Sequence, residues 1–418
     1  MALQVEKKKG SKFIIFLITL YMTSILIFST NADLNIYSQL LFIVAFGCCA
    51  AALLFKGVKL NVDRYIIFFV AFILVCRFSE AWAISPSVAM GEVTTLVQLL
   101  IMSVILLTYI VHTGEADSFV RALLYSGVFV AIYVVGYYGI DEYIELLKQG
   151  ERAGTDINNV NTIGMYMAFT VFIGFYYGYV RKKKLGYATM ILPLILTLGS
   201  ASRKALFAAV VGIALIAVLE YRRKITIKTF FKAILMFVVI AIILQWLSTL
   251  SIFAGAFERF RTMLGLGGHS IDSSAATRQK MIAVGWRYFL EHPFTGCGIG
   301  NSTYIMYDEL KRFVYTHNNF IELLASVGIF GFLFFYAIYG YLLTNLYRIF
   351  RRRGSQVAMI LFVMLTIRLI LEYGMVSYYS KINYIYFTIG AAEILIDKKK
   401  RREEAEKNVL EPDKKNIM

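Results

Sequence analysis

Proline is nearly missing from this chain, with four residues in 418, so long helices meet few obligate breaks. Charge is scarce too: Asp, Glu, Lys and Arg make up 17%, against roughly 25% in a soluble domain. Cysteine occurs four times. Cys48, Cys49 and Cys76 fall in apolar runs and Cys297 stands alone, so neither a CxxC pair nor metal-ligand spacing is formed. An HExxH helix, a Walker loop, a GxSxG elbow and a Cys/His cluster are all missing. Metal and nucleotide cofactors therefore have no support. The GCGIG stretch at 296–300 copies part of a dinucleotide fingerprint, but no strand precedes it, and it reads as turn chemistry.

What the chain has instead is hydrophobic length. Apolar residues supply 59% of it and the mean hydropathy is +0.66. Runs long enough to cross ~30 Å of hydrocarbon lie near 13–30, 36–55, 65–79, 93–111, 119–140, 160–180, 185–200, 204–220, 229–248, 318–347, 356–376 and 382–396. The expected fold is an all-α membrane protein of about twelve transmembrane helices. Lys7, Lys8, Lys9 and Lys12 precede the first run, but no small-residue cleavage site follows it, so this run is expected to be retained as a span. The net charge of +16 would suggest nucleic acid in a soluble protein. Here the bases crowd into short links such as RKKK (181–184), YRRK (221–224) and RIFRRR (348–353), while STNADLN and SEAWAISPS are nearly free of them. That bias makes a membrane explanation sufficient and puts both termini in the cytoplasm, with no nucleic-acid partner.

The expected organisation is spans one to nine over 1–248, an external loop over 249–317, spans ten to twelve over 318–396, and a basic cytoplasmic tail over 397–418. The external loop, between spans nine and ten, is the one long link, and long loops tend to be functional. Two helical pieces are expected in it, near 254–264 and 275–291, the second capped by Ser273 or Ser274 and stopped by Pro293. Met281, Val284 and Tyr288, with Ile282, Gly285 and Phe289, give that second piece an apolar stripe suited to the membrane interface. Seven bases (Arg259, Arg261, Arg278, Lys280, Arg287, Lys311 and Arg312) fall in this loop. Either the loop was translocated regardless of charge, or guanidinium forks await an anionic ligand.

Four further places carry candidate chemistry. Arg203 and Lys204, in the turn SASRK, are either interfacial anchors or an anion site at the dipole-positive start of the next helix. Arg152 with Asn158, Asn159 and Asn161 is either turn and cap chemistry or a cradle for sugar hydroxyls. His317, with Asn318 and Asn319 beside it, opens the tenth span and is either a satisfied interfacial group or a base near neutral pH; Glu322, one turn deeper, needs a partner or a polar cavity. Arg368 and Glu372, four apart in the eleventh span, are expected to pair with each other.

The blocks SRKALFAAVVG (202–212), TRQKMIAVGWRYFLEHPFTGCGIGNSTY (277–304) and THNNFIELLASVGIFGFLFF (316–335), in this order, resemble the O-antigen ligase and polysaccharide polymerase superfamily. The resemblance runs from about residue 150 onward; earlier spans match in hydropathy alone. It implies a GT-C-like membrane glycosyltransferase of the bacterial inner membrane, working on the external face with undecaprenyl-pyrophosphate-linked oligosaccharides and no cofactor. It implies that Arg203 and Arg278 clamp the lipid diphosphate, that His317 activates the acceptor hydroxyl, and that Arg152 and Asn161, with Asn318 and Glu322, help hold substrate. Lys204 stands where the family usually has a small residue. Besides membrane lipid, a chain-length regulator and a flippase are the partners such chemistry would call on. A polymerase is the first expectation; a ligase would use the same donor-capturing residues, and a lipid-linked sugar flippase is disfavoured because the bases gather on one loop.

Overall fold

The computed structural model describes residues 10–221, except 29, 30, 32, 150 and 153, then Gln245, Thr249 and residues 273–410. The expected span at 229–248, the loop helix at 254–264, and Arg259 and Arg261 lie outside these described residues. Fourteen α-helices and no strand occur among them. Nine precede the long link: α1 (Lys12–Ile27), α2 (Asn35–Phe55), α3 (Arg64–Ser79), α4 (Pro86–Thr113), α5 (Ala116–Tyr138), α6 (Ile140–Lys148), α7 (Val160–Phe175), α8 (Leu185–Gly199) and α9 (Arg203–Tyr221). Five follow: α10 (Ser273–Glu291), α11 (Ser302–Leu310), α12 (Asn319–Arg353), α13 (Gln356–Leu371) and α14 (Lys381–Leu410).

Each described apolar run coincides with a helix, because in hydrocarbon only a helix satisfies all backbone groups within one segment. Among the described residues, eight helices are long and apolar enough to cross a membrane, those on α2, α3, α4, α5, α7, α9, α12 and α13; α1 and α8 are shorter apolar helices. The described residues thus form an all-helical, multi-pass membrane architecture. Its radial order follows from burial. The span on α7 is 89% buried and forms the centre, whereas that on α2 is 28% buried and turns Ile43, Leu54 and Phe55 outward. An all-round apolar helix belongs inside such a bundle, or faces lipid.

The longest helix is broken. Within α12, Gly328 takes φ 64° and ψ −168°, a conformation that excludes most side chains. The break frees the carbonyls of Ala325 and Ser326, which accept from the amides of Cys297 and Gly298 at 2.9 Å each. Ile329 N in turn donates to Pro293 O at 2.9 Å. A Cβ on Gly328 would sit 2.6 Å from the Phe294 backbone. The glycine stretch after Pro293 is therefore a loop plugged into a helix break, and the 319–327 segment is a separate short helix leading to it.

α10 packs against its neighbours in sequence. Its Met281, Val284 and Tyr288 pack against Cys297, Ile305, Met306, Leu310 and Val314, and a Cβ on Gly285 would touch Ile321 at 2.6 Å. The apolar stripe that suggested an interfacial helix is covered by protein, since α11 and the start of α12 supply the apolar partner. Trp286 and Leu290, on the other side, are the exposed apolar residues of this helix.

Candidate active-site cavity

Four helices begin around one hollow: α7 at Val160, α9 at Arg203, α12 at Asn319 and α14 at Lys381; α13 ends there at Leu371. Helix N-termini carry positive dipole ends, so the backbone alone predisposes this space toward an anion. The cavity measures about 440 Å³. Its wall includes Lys204, Arg278, Arg368 and Lys381, together with His317, three asparagines and Tyr315 and Tyr379. No carboxylate occurs among the described lining residues. The charge is one-sided.

His317 is held by its neighbours rather than by its own ring. Thr316 donates from N (3.0 Å) and Oγ1 (2.8 Å) to Oε2 of Glu322, whose Oε1 accepts from Ser302 Oγ. Asn318 Oδ1 caps α12 by accepting from Phe320 N and Ile321 N at 3.0 and 3.1 Å. Asn319 is buried and accepts from Ser377 N and Tyr378 N while donating to Glu372. Pinned from both sides, His317 adopts φ 55°, a left-handed conformation that costs a non-glycine residue energy and clusters at functional sites. The ring packs on Tyr315, with centroids 4.1 Å apart. Burial, and then the charges of Arg278 and Lys204, lower its pKa to about 4. The imidazole is consequently neutral at physiological pH and able to accept a proton.

The cations reach the cavity by different routes. Arg278 comes from the second turn of α10. Lys204 comes from the first turn of α9 and donates through Nζ to Gly374 O in the 3-10 turn that follows α13, leaving two further N–H donors. It is Lys204, not Arg203, that lines the cavity; Arg203 is half-buried and has an interaction of its own. Arg152 is spent on structure: Nε donates to Ser200 O at 2.9 Å and Nη2 to Asn161 Oδ1 at 2.7 Å. This ties the 151–161 stretch to the SASRK turn and leaves Asn161, but not Arg152, in the wall. Asn159 accepts from Asn161 N, capping α7.

Of the expected site residues, His317, Arg278 and Asn161 meet at the cavity. Arg203, Arg152, Asn318 and Glu322 do not line it; the last two shape the turn that presents His317. The expected pairing of Arg368 with Glu372 is replaced by other partners. α13 ends at Leu371 and Glu372 enters a 3-10 turn, so the four-residue spacing no longer stacks the two side chains. Glu372 accepts from Tyr336, Tyr339, Ser377 and Asn319, and Arg368 Nε donates to Asn383. Sequence reasoning missed Lys381 and Tyr379, whose only signal is a base and aromatics at the start of the last apolar run. Of the remaining loop bases, Arg287 pairs with Glu309 at 2.6 Å, Lys311 donates to Asp308 O, and Lys280 and Arg312 are exposed.

Residues 188–336 match the O-antigen ligase family, Wzy_C. All three sequence blocks that carried the resemblance lie inside that stretch. The chain is also 24% identical over 318 residues to the teichuronic acid biosynthesis protein TuaE of Bacillus subtilis (strain 168), covering 70% of this chain. It spans 63% of that relative's length. The family match and this similarity agree with the resemblance carried by the three sequence blocks.

Proposed function

We propose that this chain, matching O-antigen ligase over residues 188–336, is an envelope polysaccharide polymerase that moves a glycan from a lipid diphosphate to the hydroxyl of a lipid-linked repeat unit. The observation that carries the reading is the meeting of Arg278, Lys204 and His317 in a cavity whose described wall holds no carboxylate. The acceptor oxygen attacks the anomeric carbon, the bond from that carbon to the diphosphate oxygen breaks, and the acceptor proton passes to His317. Charge growing on the departing diphosphate is met by Arg278 and Lys204 and by the helix N-termini around them, the electrostatic term that such a displacement needs most. In-line attack inverts the anomeric centre, so an α-linked donor gives a β linkage.

Two charges on a bound diphosphate offset those of Arg278 and Lys204, which raises the proton affinity of His317 when the donor is in place. The base is thus strongest in the loaded site. Its removal tests the role: His317→Ala in the host strain should abolish long chains while the protein still accumulates in the membrane, and wild-type chain length would reject it. A ligase is the second reading, favoured by the description of the matched family. In a deletion strain, loss of chain lengthening indicates a polymerase; long chains retained on the lipid carrier indicate a ligase. A flippase supplying repeat units and a chain-length regulator are the partners a polymerase would require.

About twelve spans, cytoplasmic termini and a cavity open to the external face complete the proposal. The dense bases of 181–184, 221–224 and 348–353 support it. A cysteine in place of exposed Lys280 should react with an impermeant thiol reagent on intact cells. Reaction only after permeabilisation would reverse the orientation.

A further inference from the structure

Part of the cavity wall takes no part in the transfer just described. Arg368, near the end of α13, is 5% exposed and lines the cavity together with Lys381, the first residue of α14. Its Nε donates to Asn383 Oδ1 at 3.2 Å and its Nη1 faces Met375 Sδ at 3.5 Å, but the buried Nη2 meets no hydrogen-bond acceptor. A buried donor that has lost water without gaining a partner destabilises the fold by about 1–3 kcal/mol, more when charged. Intramembrane guanidinium groups are retained at such expense chiefly where they serve a ligand or a path.

Charge counting narrows the ligand. A diphosphate diester carries two negative charges, which Arg278 and Lys204 already match. Arg368 and Lys381 are in excess of that charge, since the diphosphate of a lipid-linked acceptor lies at the reducing end of its repeat unit, away from the hydroxyl that reacts at His317. Glu372 lies within electrostatic reach of Arg368, yet it does not line the cavity, and its oxygens are occupied by two tyrosines, a serine and an asparagine. Even with Arg368 offset, Lys381 remains. Beside Lys381 the chain supplies Tyr379 and Ser380, and the same cavity wall holds the asparagines of the α7 start, groups suited to sugar hydroxyls rather than to lipid.

We infer that Arg368 and Lys381 form a second anion subsite, reading an acidic substituent on the glycan, a sugar carboxylate, while the diphosphate sits against Arg278 and Lys204. The inference rests on the proposed donor class. Two undecaprenyl-diphosphate disaccharides, identical except for a terminal glucuronate or glucose, separate the two ideas when their binding to the purified full chain in nanodiscs is compared. The wild type should hold the glucuronate donor at least tenfold more tightly. Arg368→Gln and Lys381→Gln should each shrink that ratio toward one, whereas Arg278→Gln should weaken both donors by a similar factor. Lys381 is half-buried at a helix start, so its variant carries the test if Arg368→Gln fails to fold. A wild-type ratio near one, or a ratio above ten that survives in both variants, would overturn the subsite alone. Binding of neither donor would overturn the donor reading itself.

Discussion

The two ends of the bundle handle charge in opposite ways. At the end remote from the cavity, several cations are met by acids. Asp63 accepts from Tyr341 and from Lys398 at 3.3 Å; Arg353 pairs with Asp397 at 3.2 Å and Glu404 at 2.7 Å; Arg401 also reaches Asp397 at 2.9 Å, and Arg181 reaches Asp117 at 3.3 Å. At the cavity end, Arg278, Lys204, Arg368 and Lys381 face a space with no described carboxylate in its wall. Cancelled charge fixes helix ends in register. Charge left uncancelled, in a place where water is partly excluded, stores electrostatic energy that only an incoming anion releases.

The comparison can be broken most forcefully at His317. Its replacement by Ala should lower turnover by about 10²–10⁴-fold, the usual worth of a positioned general base, measured as glycosidic bonds formed per enzyme. Arg278→Gln should cost about 10²–10³-fold in the same assay, as loss of one preorganised donor to a developing anion does. The pH profile sharpens the point. A neutral imidazole is required, and the free site keeps it neutral down to about 4 against an ordinary 6.5, so kcat/KM should hold until the pH falls near that value. The bound donor offsets Arg278 and Lys204, so the acid limb of kcat should lie higher, toward 6.5, since kcat reports the loaded site. A kcat limb at or below that of kcat/KM would contradict the offset.

Smaller effects come from moving charge between the ends. Asn159→Asp keeps the oxygen that caps α7 but adds a carboxylate to the cavity wall; donor affinity should fall by roughly tenfold, equivalent to ~1.4 kcal/mol, with the unfolding midpoint little changed. Arg353→Gln at the remote end should leave turnover alone and barely move the unfolding midpoint, because exposed ion pairs contribute little. An equal loss of turnover at both ends would erase the distinction.

Much of the fold was legible because the membrane imposes its own code: each apolar run among the described residues became a helix, and Pro293 ended α10 where its ring forbids continuation. Site residues were legible where a residue type could do little else, as with a histidine opening a span. The failures have a common cause. Whether Arg203 or Lys204 enters the cavity depends on the rotation of α9 about its axis, which periodicity does not set in a helix apolar nearly all round. Glu322 and Asn318 looked like ligands because their partners, Thr316 and Ser302 for the one and the first amides of α12 for the other, belong to the chain itself. The break at Gly328 is a single residue whose reason, the docked loop after Pro293, lies more than thirty positions earlier. Arg368 and Glu372 diverged because the helix stopped one residue short of pairing them.

The central claim is that an imidazole next to a diphosphate-sized cluster of cations takes the acceptor's proton. Its most direct test is single-turnover transfer by the purified chain with a labelled lipid-diphosphate repeat unit, comparing wild type with His317→Ala and recording bound donor in the same samples. The account predicts that the variant retains donor but forms the new glycosidic bond about 10²–10⁴-fold more slowly. Chain growth at the wild-type rate in the variant would contradict it.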